Sequence, residues 1–129
     1  MVFRRLFMND TQKILCQLLA NTLFQEELPA DIGNVSNWEE VYQESKRQAV
    51  VIPAFLKYDK LLMDKEMKKE IGNSVKMHIF QCVQNYSYHS YLHELMTENG
   101  ISYCILKGVA SSSYYPEEMS RQMGDVDSL

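Results

Sequence analysis

The sequence has few of the residues that build disulfide frameworks and structural metal sites. Its 129 residues include only three cysteines, Cys16, Cys82 and Cys104, which are scattered along the chain and odd in number. Disulfide-rich secreted domains carry paired cysteines, and structural zinc sites need Cys-x-x-Cys or Cys/His clusters, which this sequence lacks. We therefore expect reduced thiols and a cytoplasmic protein.

Long apolar runs and an excess of positive charge are also missing. No run approaches the roughly eighteen apolar residues of a membrane span, so we expect no membrane partner. The first residues, MVFRRLFM, lack the sustained apolar core of a secretory signal, and we expect Phe3, Leu6 and Phe7 to pack on the domain. The net charge of −4 argues against a general nucleic-acid-binding surface.

The length and the hydrophobic content of 46% predict one soluble domain, residues 1–129, with one core. Apolar residues at helical spacing predict a helical part over residues 1–99. A first helix begins at a cap formed by Asn9 or Asp10, and a loop covers Gln25 to Val35. Ser36-Asn37-Trp38-Glu39 has the pattern of a capping box, which predicts a second helix to about Gln48.

Two more helices are predicted before residue 100. Because a residue that precedes proline avoids the helical region, we expect a break before Pro53 and a short helix from Pro53 to about Leu62. Asp64 is the expected cap of the longest helix, which continues to about Glu98. Gly72 is expected to weaken this helix by up to about 1 kcal/mol relative to alanine.

Histidines and tyrosines on the long helix allow more than one interpretation. His89 and His93 are four residues apart, a spacing that can hold a metal, but a third ligand is not evident, and surface histidines are the alternative. Tyr86, Tyr88 and Tyr91 could line a groove for a base, or could belong to the core and its rim.

The last quarter of the chain has a different pattern. The apolar segment Ile101 to Leu106 predicts a buried strand, which ends at Lys107-Gly108. Two helical turns over Val109 to Tyr115 follow, and Pro116 stops them.

A second strand is predicted to begin at Asp125-Val126-Asp127. Side chains at i and i+2 of a strand share one face, so the two carboxylates would lie side by side. Adjacent carboxylates repel each other unless a cation lies between them, and hard oxygen ligands suit Mg²⁺. The alternative is a polar turn, since short motifs of this kind are frequent by chance.

The order of these pieces resembles the uncharacterised nucleotidyltransferase branch of the polymerase-beta-like nucleotidyltransferase superfamily. The resemblance rests on Leu106-Lys107-Gly108, Tyr115-Pro116, Arg121 and Asp125-Val126-Asp127, in that order. It covers roughly residues 101–129, and the preceding helical region fits more loosely, through Trp38 and the segment Ala49 to Pro53. It implies an α+β fold, mainly helical, in which about four helices precede the strand-helix-strand opening of a nucleotidyltransferase sheet.

The resemblance also implies roles for single residues. Asp125 and Asp127 would hold the Mg²⁺ or Mn²⁺ ions that bridge a nucleoside triphosphate. Lys107, Gly108 and Ser111 would lie along the triphosphate, because glycine allows close approach and a helix N-terminus favours anions. Arg121 could pair with a phosphate through two hydrogen bonds. A surface salt bridge with Glu117 or Glu118 is the alternative role for this arginine.

The sequence also departs from the family pattern. Active members of the superfamily have a third carboxylate on a later strand, whereas this chain stops two residues after Asp127. One hypothesis is a nucleotidyltransferase that is complete only in a longer chain and moves a nucleotidyl group from NTP to an unspecified acceptor. The other is a catalytically silent binding or assembly module. A sheet of two or three strands leaves open edges, so we expect a homodimer rather than a free monomer.

Overall fold

A computed structural model describes residues 8–35 and 37–122 of the chain, together with the backbone of Asp127 and Ser128. The described part is mainly helical with one small sheet, which confirms the α+β class. The α-helices are α1 (Asp10–Phe24), α2 (Trp38–Arg47), α3 (Val51–Phe55), α4 (Lys65–Glu98) and α5 (Gly108–Ser112). Short 3₁₀ helices cover Ala30–Asn34, Tyr58–Lys60 and Glu118–Ser120, and the strands are β1 (Ile105–Leu106) and β2 (Asp127–Ser128).

The predicted caps of α1 and α4 are both present. The Asn9 side chain accepts a hydrogen bond from the Gln12 backbone N–H at 2.8 Å, and the Gln12 side chain accepts one from the Asn9 N–H at 3.3 Å. The Asp64 carboxylate accepts a hydrogen bond from the Met67 N–H at 2.8 Å. Each cap satisfies backbone donors that lack a partner inside the helix and contributes about 1 kcal/mol.

The predicted capping box of the second helix is wrong by one residue. The cap of α2 is Asn37, whose side chain accepts a hydrogen bond from the Glu40 N–H at 3.2 Å; Ser36 lies outside the described residues. Asparagine caps a helix as well as serine does. Trp38 therefore becomes the first residue of α2, where its buried indole N–H donates to the Leu62 carbonyl at 2.7 Å.

The expected break before Pro53 is also wrong. Helix α3 begins two residues earlier, at Val51, and ends at Phe55 rather than near Leu62. Pro53 lies in the first turn, where backbone N–H groups have no intrahelical acceptor, so the missing donor costs nothing. The chain breaks instead at Ala49, which has a φ of 56°.

The core lies among α1, α2, α3 and the N-terminal half of α4. Phe55 is fully buried at its centre, and the rings of Trp38 and Tyr42 meet it edge-on at 6.3 and 5.7 Å between centroids. Gly72 belongs to this packing, because a Cβ at that position would lie 2.9 Å from the Tyr58 hydroxyl oxygen. Gly72 thus lowers the helix propensity of α4, but it leaves the space that the Tyr58 side chain occupies.

Helix α4 extends well beyond the core. Its 34 residues correspond to a length of about 51 Å. Ile71 and Val75 are buried against the core, while Tyr88 and Tyr91 on the second half are 60% and 65% exposed. Within the described ranges, no helix combines the length and the apolar character that crossing a membrane requires.

The small sheet differs from its prediction. Strand β1 covers only Ile105–Leu106, and it pairs antiparallel with β2 so that Ile105 is opposite Ser128 and Leu106 is opposite Asp127. Ile101 is 53% and Leu106 39% exposed, so the expected buried strand over Ile101 to Leu106 is wrong. A fully buried strand needs cover on both faces and neighbours on both sides, and β1 pairs with β2 alone in the described part of the chain.

The helix after β1 begins one residue earlier and ends earlier than expected. Helix α5 starts at Gly108 and ends at Ser112, and the next two residues form a turn before Pro116. The predicted start of the second strand, Asp125 and Val126, lies outside the described residues.

Candidate functional site

The turn between β1 and α5 is strained at Lys107. This residue has a φ of 57° and a ψ of −149°, a backbone conformation that is essentially reserved for glycine. Its carbonyl accepts hydrogen bonds from the N–H groups of Ala110 at 3.0 Å and Ser111 at 3.3 Å, which hold the first turn of α5. The Lys107 side chain is exposed. A costly backbone conformation at an exposed lysine marks this turn as a candidate functional site.

Arg121 lies against the same turn. Its Nη1 donates to the Gly108 carbonyl at 3.4 Å, and the residue is half-buried. Among the described residues no carboxylate forms an ion pair with this arginine, so the alternative role in a salt bridge with Glu117 or Glu118 is not seen. The structure thus brings together Lys107, Gly108 and Arg121, three of the residues predicted to bind a nucleotide, although thirteen residues separate Gly108 from Arg121.

The serines of α5 are only partly available to a ligand. The Ser112 and Ser113 hydroxyls donate at 2.7 Å to the carbonyls of Val109 and Ala110, three residues earlier. Ser112 is fully buried, whereas the predicted ligand Ser111 is half-buried. Because α5 has only five residues, we expect the charges of Lys107 and Arg121 to attract an anion more strongly than the helix terminus does.

A buried histidine on α4 anchors the segment that carries Arg121. His78 is 4% exposed, and its Nε2 lies 2.6 Å from the Met119 carbonyl oxygen. A carbonyl can only accept, so this nitrogen carries the proton. The Cys82 thiol, one turn further along, lies 3.3 Å from the same nitrogen, and its burial raises the pKa of the thiol.

Tyr86 forms a second anchor on the same face of α4. Its hydroxyl donates to the Glu118 carboxylate at 3.1 Å. Burial raises the pKa of Tyr86, a hydrogen bond with Ser112 lowers it, and the Glu118 charge raises it further. Tyr86 therefore stays neutral and links α4 to the 3₁₀ turn that precedes Arg121.

Strand β2 brings the backbone of Asp127, one of the two predicted metal ligands, to the same corner. Asp127 is paired in the sheet with Leu106, the residue before Lys107. Asp125 lies outside the described residues, as does the Asp127 side chain. As a donor set, the carboxylates of Asp125 and Asp127 offer the hard oxygen ligands that a divalent cation such as Mg²⁺ or Mn²⁺ prefers. The residues that would hold the ion are thus Asp125 and Asp127.

Two cavities lie near Arg121, one lined by residues before it and the other by Gln122 after it. One, of about 560 Å³, lies beside Tyr86, Glu117 and Glu118. The other, of about 610 Å³, reaches from Lys46 past His78 to Gln122. The lining of the second cavity is mostly apolar, and Arg121 does not belong to it.

Other residues singled out in the sequence lie apart from this corner. The His93 Nδ1 is 2.7 Å from the Tyr103 hydroxyl, and His89 is half-buried. Among the described residues, no group of three His, Cys, Asp or Glu side chains is placed to hold a metal ion. Tyr88 and Tyr91 point into solvent rather than into a groove.

Sequence reasoning missed the anchoring roles of His78 and Tyr86. The available signal was their position on one helical face with Val75 and Cys82, at intervals of three or four residues. A histidine within an apolar face needs a buried partner, and that requirement could have indicated contact with a distant backbone.

Comparison with known proteins gave one match. Residues 34–129 match the model of a protein family described as uncharacterised nucleotidyltransferase. No match was found among curated proteins or among solved structures.

Proposed function

The chain belongs to the uncharacterised nucleotidyltransferase family, and from this premise we propose that the corner formed by Lys107, Gly108, Arg121 and strand β2 binds the triphosphate of an NTP. The bound nucleotide would be the donor in a metal-dependent transfer of a nucleotidyl group to an acceptor. The contact between Arg121 and the Gly108 carbonyl is the observation that carries this proposal.

Charge and backbone geometry support a phosphate in this corner. Lys107 and Arg121 are cations from two distant segments that meet at one turn. Gly108 has no side chain, so its backbone can be approached closely by a phosphate oxygen. The Arg121 guanidinium keeps further N–H donors beyond the one directed at Gly108, and these suit the oxygens of a phosphate. Ser111 would add a hydroxyl.

We propose that Asp125 and Asp127 hold one or two Mg²⁺ or Mn²⁺ ions. A divalent ion, when bound, would neutralise charge on the triphosphate and favour attack by the acceptor. The chain's own residues would position the substrate: Lys107 and Arg121 would bind the phosphate oxygens, and His78 would hold the Arg121 segment. The free cysteines support a reducing, cytoplasmic setting.

Calorimetric titration of ATP into the chain, with and without Mg²⁺, tests this proposal. We expect binding that strengthens with Mg²⁺ and weakens about tenfold in Arg121→Gln, since a charge-assisted contact contributes about 1.5–3 kcal/mol. Lys69→Gln is a control that removes one positive charge elsewhere, because Lys69 is an exposed lysine on α4. Asp127→Asn should remove the dependence on Mg²⁺, and Asp59→Asn should not.

The outcomes separate binding from catalysis. Mg²⁺-dependent binding without release of pyrophosphate fits the catalytically silent alternative. Release of pyrophosphate that disappears in Asp125→Asn and Asp127→Asn fits a transferase. Equal ATP affinity in the wild type, Arg121→Gln and Asp127→Asn would contradict the proposed site.

A further inference from the structure

The face of α4 opposite the core carries a row of exposed large side chains. They follow one another at intervals of three or four residues: Met77, Phe80, Gln84, Tyr88, Tyr91 and Leu95. Apart from Gln84 they are hydrophobic, with exposures between 42% and 65%. The first three positions recur eleven residues later, a repeat that keeps the row on one side of a nearly straight helix. We call this row the α4 stripe.

We propose that the α4 stripe is the interface of a two-fold symmetric dimer, in which the α4 helices of two copies of this chain pack antiparallel. This inference does not depend on nucleotide binding. It uses a different surface from the open edges of the small sheet.

The stripe is complementary to itself when the chain direction is reversed. A two-fold axis beside residue 86 places Met77 opposite Leu95 of the partner copy, and Phe80 opposite Tyr91 of the partner copy. It also places Gln84 opposite Tyr88, where the amide and the hydroxyl can form a hydrogen bond. A two-fold interface requires such reciprocal pairs, because the same surface is used twice.

Charge favours the antiparallel direction. Residues 65–81 of α4 contain four lysines and two glutamates, whereas residues 82–98 contain two glutamates and no lysine or arginine. Lys76 and Glu94 are both exposed and, eighteen residues apart, lie on the same edge of the stripe. In an antiparallel two-fold pair the same edges of both helices meet, so each Lys76 approaches a Glu94. Parallel helices would place like charges together.

The available area is sufficient for a specific interface. An aromatic side chain buries about 150–250 Å² when covered, so Phe80, Tyr88 and Tyr91 at their exposures offer about 100–150 Å² each. With Met77 and Leu95, each copy contributes on the order of 600 Å², which gives roughly 1,200 Å² for the pair. This total reaches the lower limit for stable interfaces, and we expect a dissociation constant on the order of micromolar.

Sedimentation equilibrium over a concentration range tests the proposal. We expect a monomer–dimer equilibrium that Phe80→Glu weakens at least about tenfold, with an unchanged circular dichroism spectrum because Phe80 is exposed. Phe24→Glu is the matched control, since Phe24 is an exposed phenylalanine at the end of α1. A monomer at every concentration overturns the proposal, and so does a dimer that Phe80→Glu leaves unchanged.

A charge exchange tests the direction of the helices. Lys76→Glu and Glu94→Lys should each weaken the dimer about tenfold at low salt, since each places two pairs of like charges at the interface. An equimolar mixture of the two variants should form a heterodimer as stable as the wild-type dimer, because both pairs are then opposite in sign. Failure of the mixture to recover dimer formation overturns the antiparallel arrangement.

Discussion

Replacing Lys107 with glycine and with alanine should separate its backbone conformation from its charge. Both variants remove the ammonium group. Only Lys107→Gly also relieves the φ of 57° and ψ of −149°. If Lys107 is strained and also binds phosphate, both variants will lose ATP affinity, but their free energies of unfolding will differ.

The size of the difference follows from the backbone. A residue held in this glycine-like region costs about 1–3 kcal/mol. Relief of this strain in the glycine variant is offset by about 0.5–1 kcal/mol, because glycine gives the unfolded chain greater conformational freedom. Lys107→Gly should therefore raise the free energy of unfolding by about 0.5–2 kcal/mol, and the melting temperature by roughly 2–10 °C. Lys107→Ala keeps the strain and loses only an exposed side chain, so its melting temperature should be nearly unchanged.

Thermal unfolding followed by circular dichroism, together with ATP titration in Mg²⁺, measures both effects. We expect ATP affinity to fall about tenfold in both variants. Lys69→Ala, which removes an exposed lysine from α4, should keep wild-type affinity. Equal stability of the glycine and alanine variants would refute the strain at Lys107. Wild-type affinity in both would refute its contact with the triphosphate.

Three further predictions concern the packing around the site. Gly72→Ala should destabilise the protein by about 1–2 kcal/mol in urea denaturation, because the clash of the new Cβ with the Tyr58 hydroxyl outweighs the gain of up to about 1 kcal/mol in helix propensity. Gly72→Ala combined with Tyr58→Leu should recover part of the loss, and no loss in the single variant would contradict this packing. In a thiol-labelling assay at pH 8, the exposed Cys16 and Cys104 should react quickly. Cys82 should react only on unfolding, since burial restricts access to the thiol and raises its pKa; rapid labelling of all three contradicts this. His78→Leu should lower the free energy of unfolding by about 1–3 kcal/mol, because the Met119 carbonyl loses its hydrogen-bond donor. The same variant should lower ATP affinity several-fold, because His78 holds the segment that carries Arg121. If the histidine positions Arg121 in this way, His78→Gln should recover part of the affinity.

Local chemistry explains which parts of the fold could be predicted. The caps Asn9 and Asp64 act within one turn, so their sequence signals were sufficient. The break before Pro53 was misjudged because a residue before proline only tends to avoid the helical region, and Ile52 is helical here, in the first turn of α3. The residue at the actual break, Ala49, gives no sequence signal for a positive φ. The cap of α2 was misplaced because Ser36 and Asn37 both fit the pattern.

The site depends on contacts that are distant in sequence. Lys107-Gly108 and Arg121 were identified from their order along the chain, but the hydrogen bond between Arg121 and Gly108 depends on the path of the 3₁₀ turn. That path is held by His78 and Tyr86, which are more than thirty residues away from Met119 and Glu118. Exposure of Ile101 and Leu106 could not be predicted either, because an apolar run does not reveal how many strands cover it.

The proposed binding site for a nucleoside triphosphate and a divalent ion is the corner of β1, β2 and the Lys107-Gly108 turn. Paramagnetic broadening by Mn²⁺ and ATP in the ¹⁵N-labelled chain tests it most directly. We expect broadening of the amide signals of Leu106, Lys107, Gly108 and Asp127, unchanged signals across α1, and loss of the effect in Asp127→Asn. Broadening elsewhere in the chain with an unaffected Lys107-Gly108 turn would contradict it.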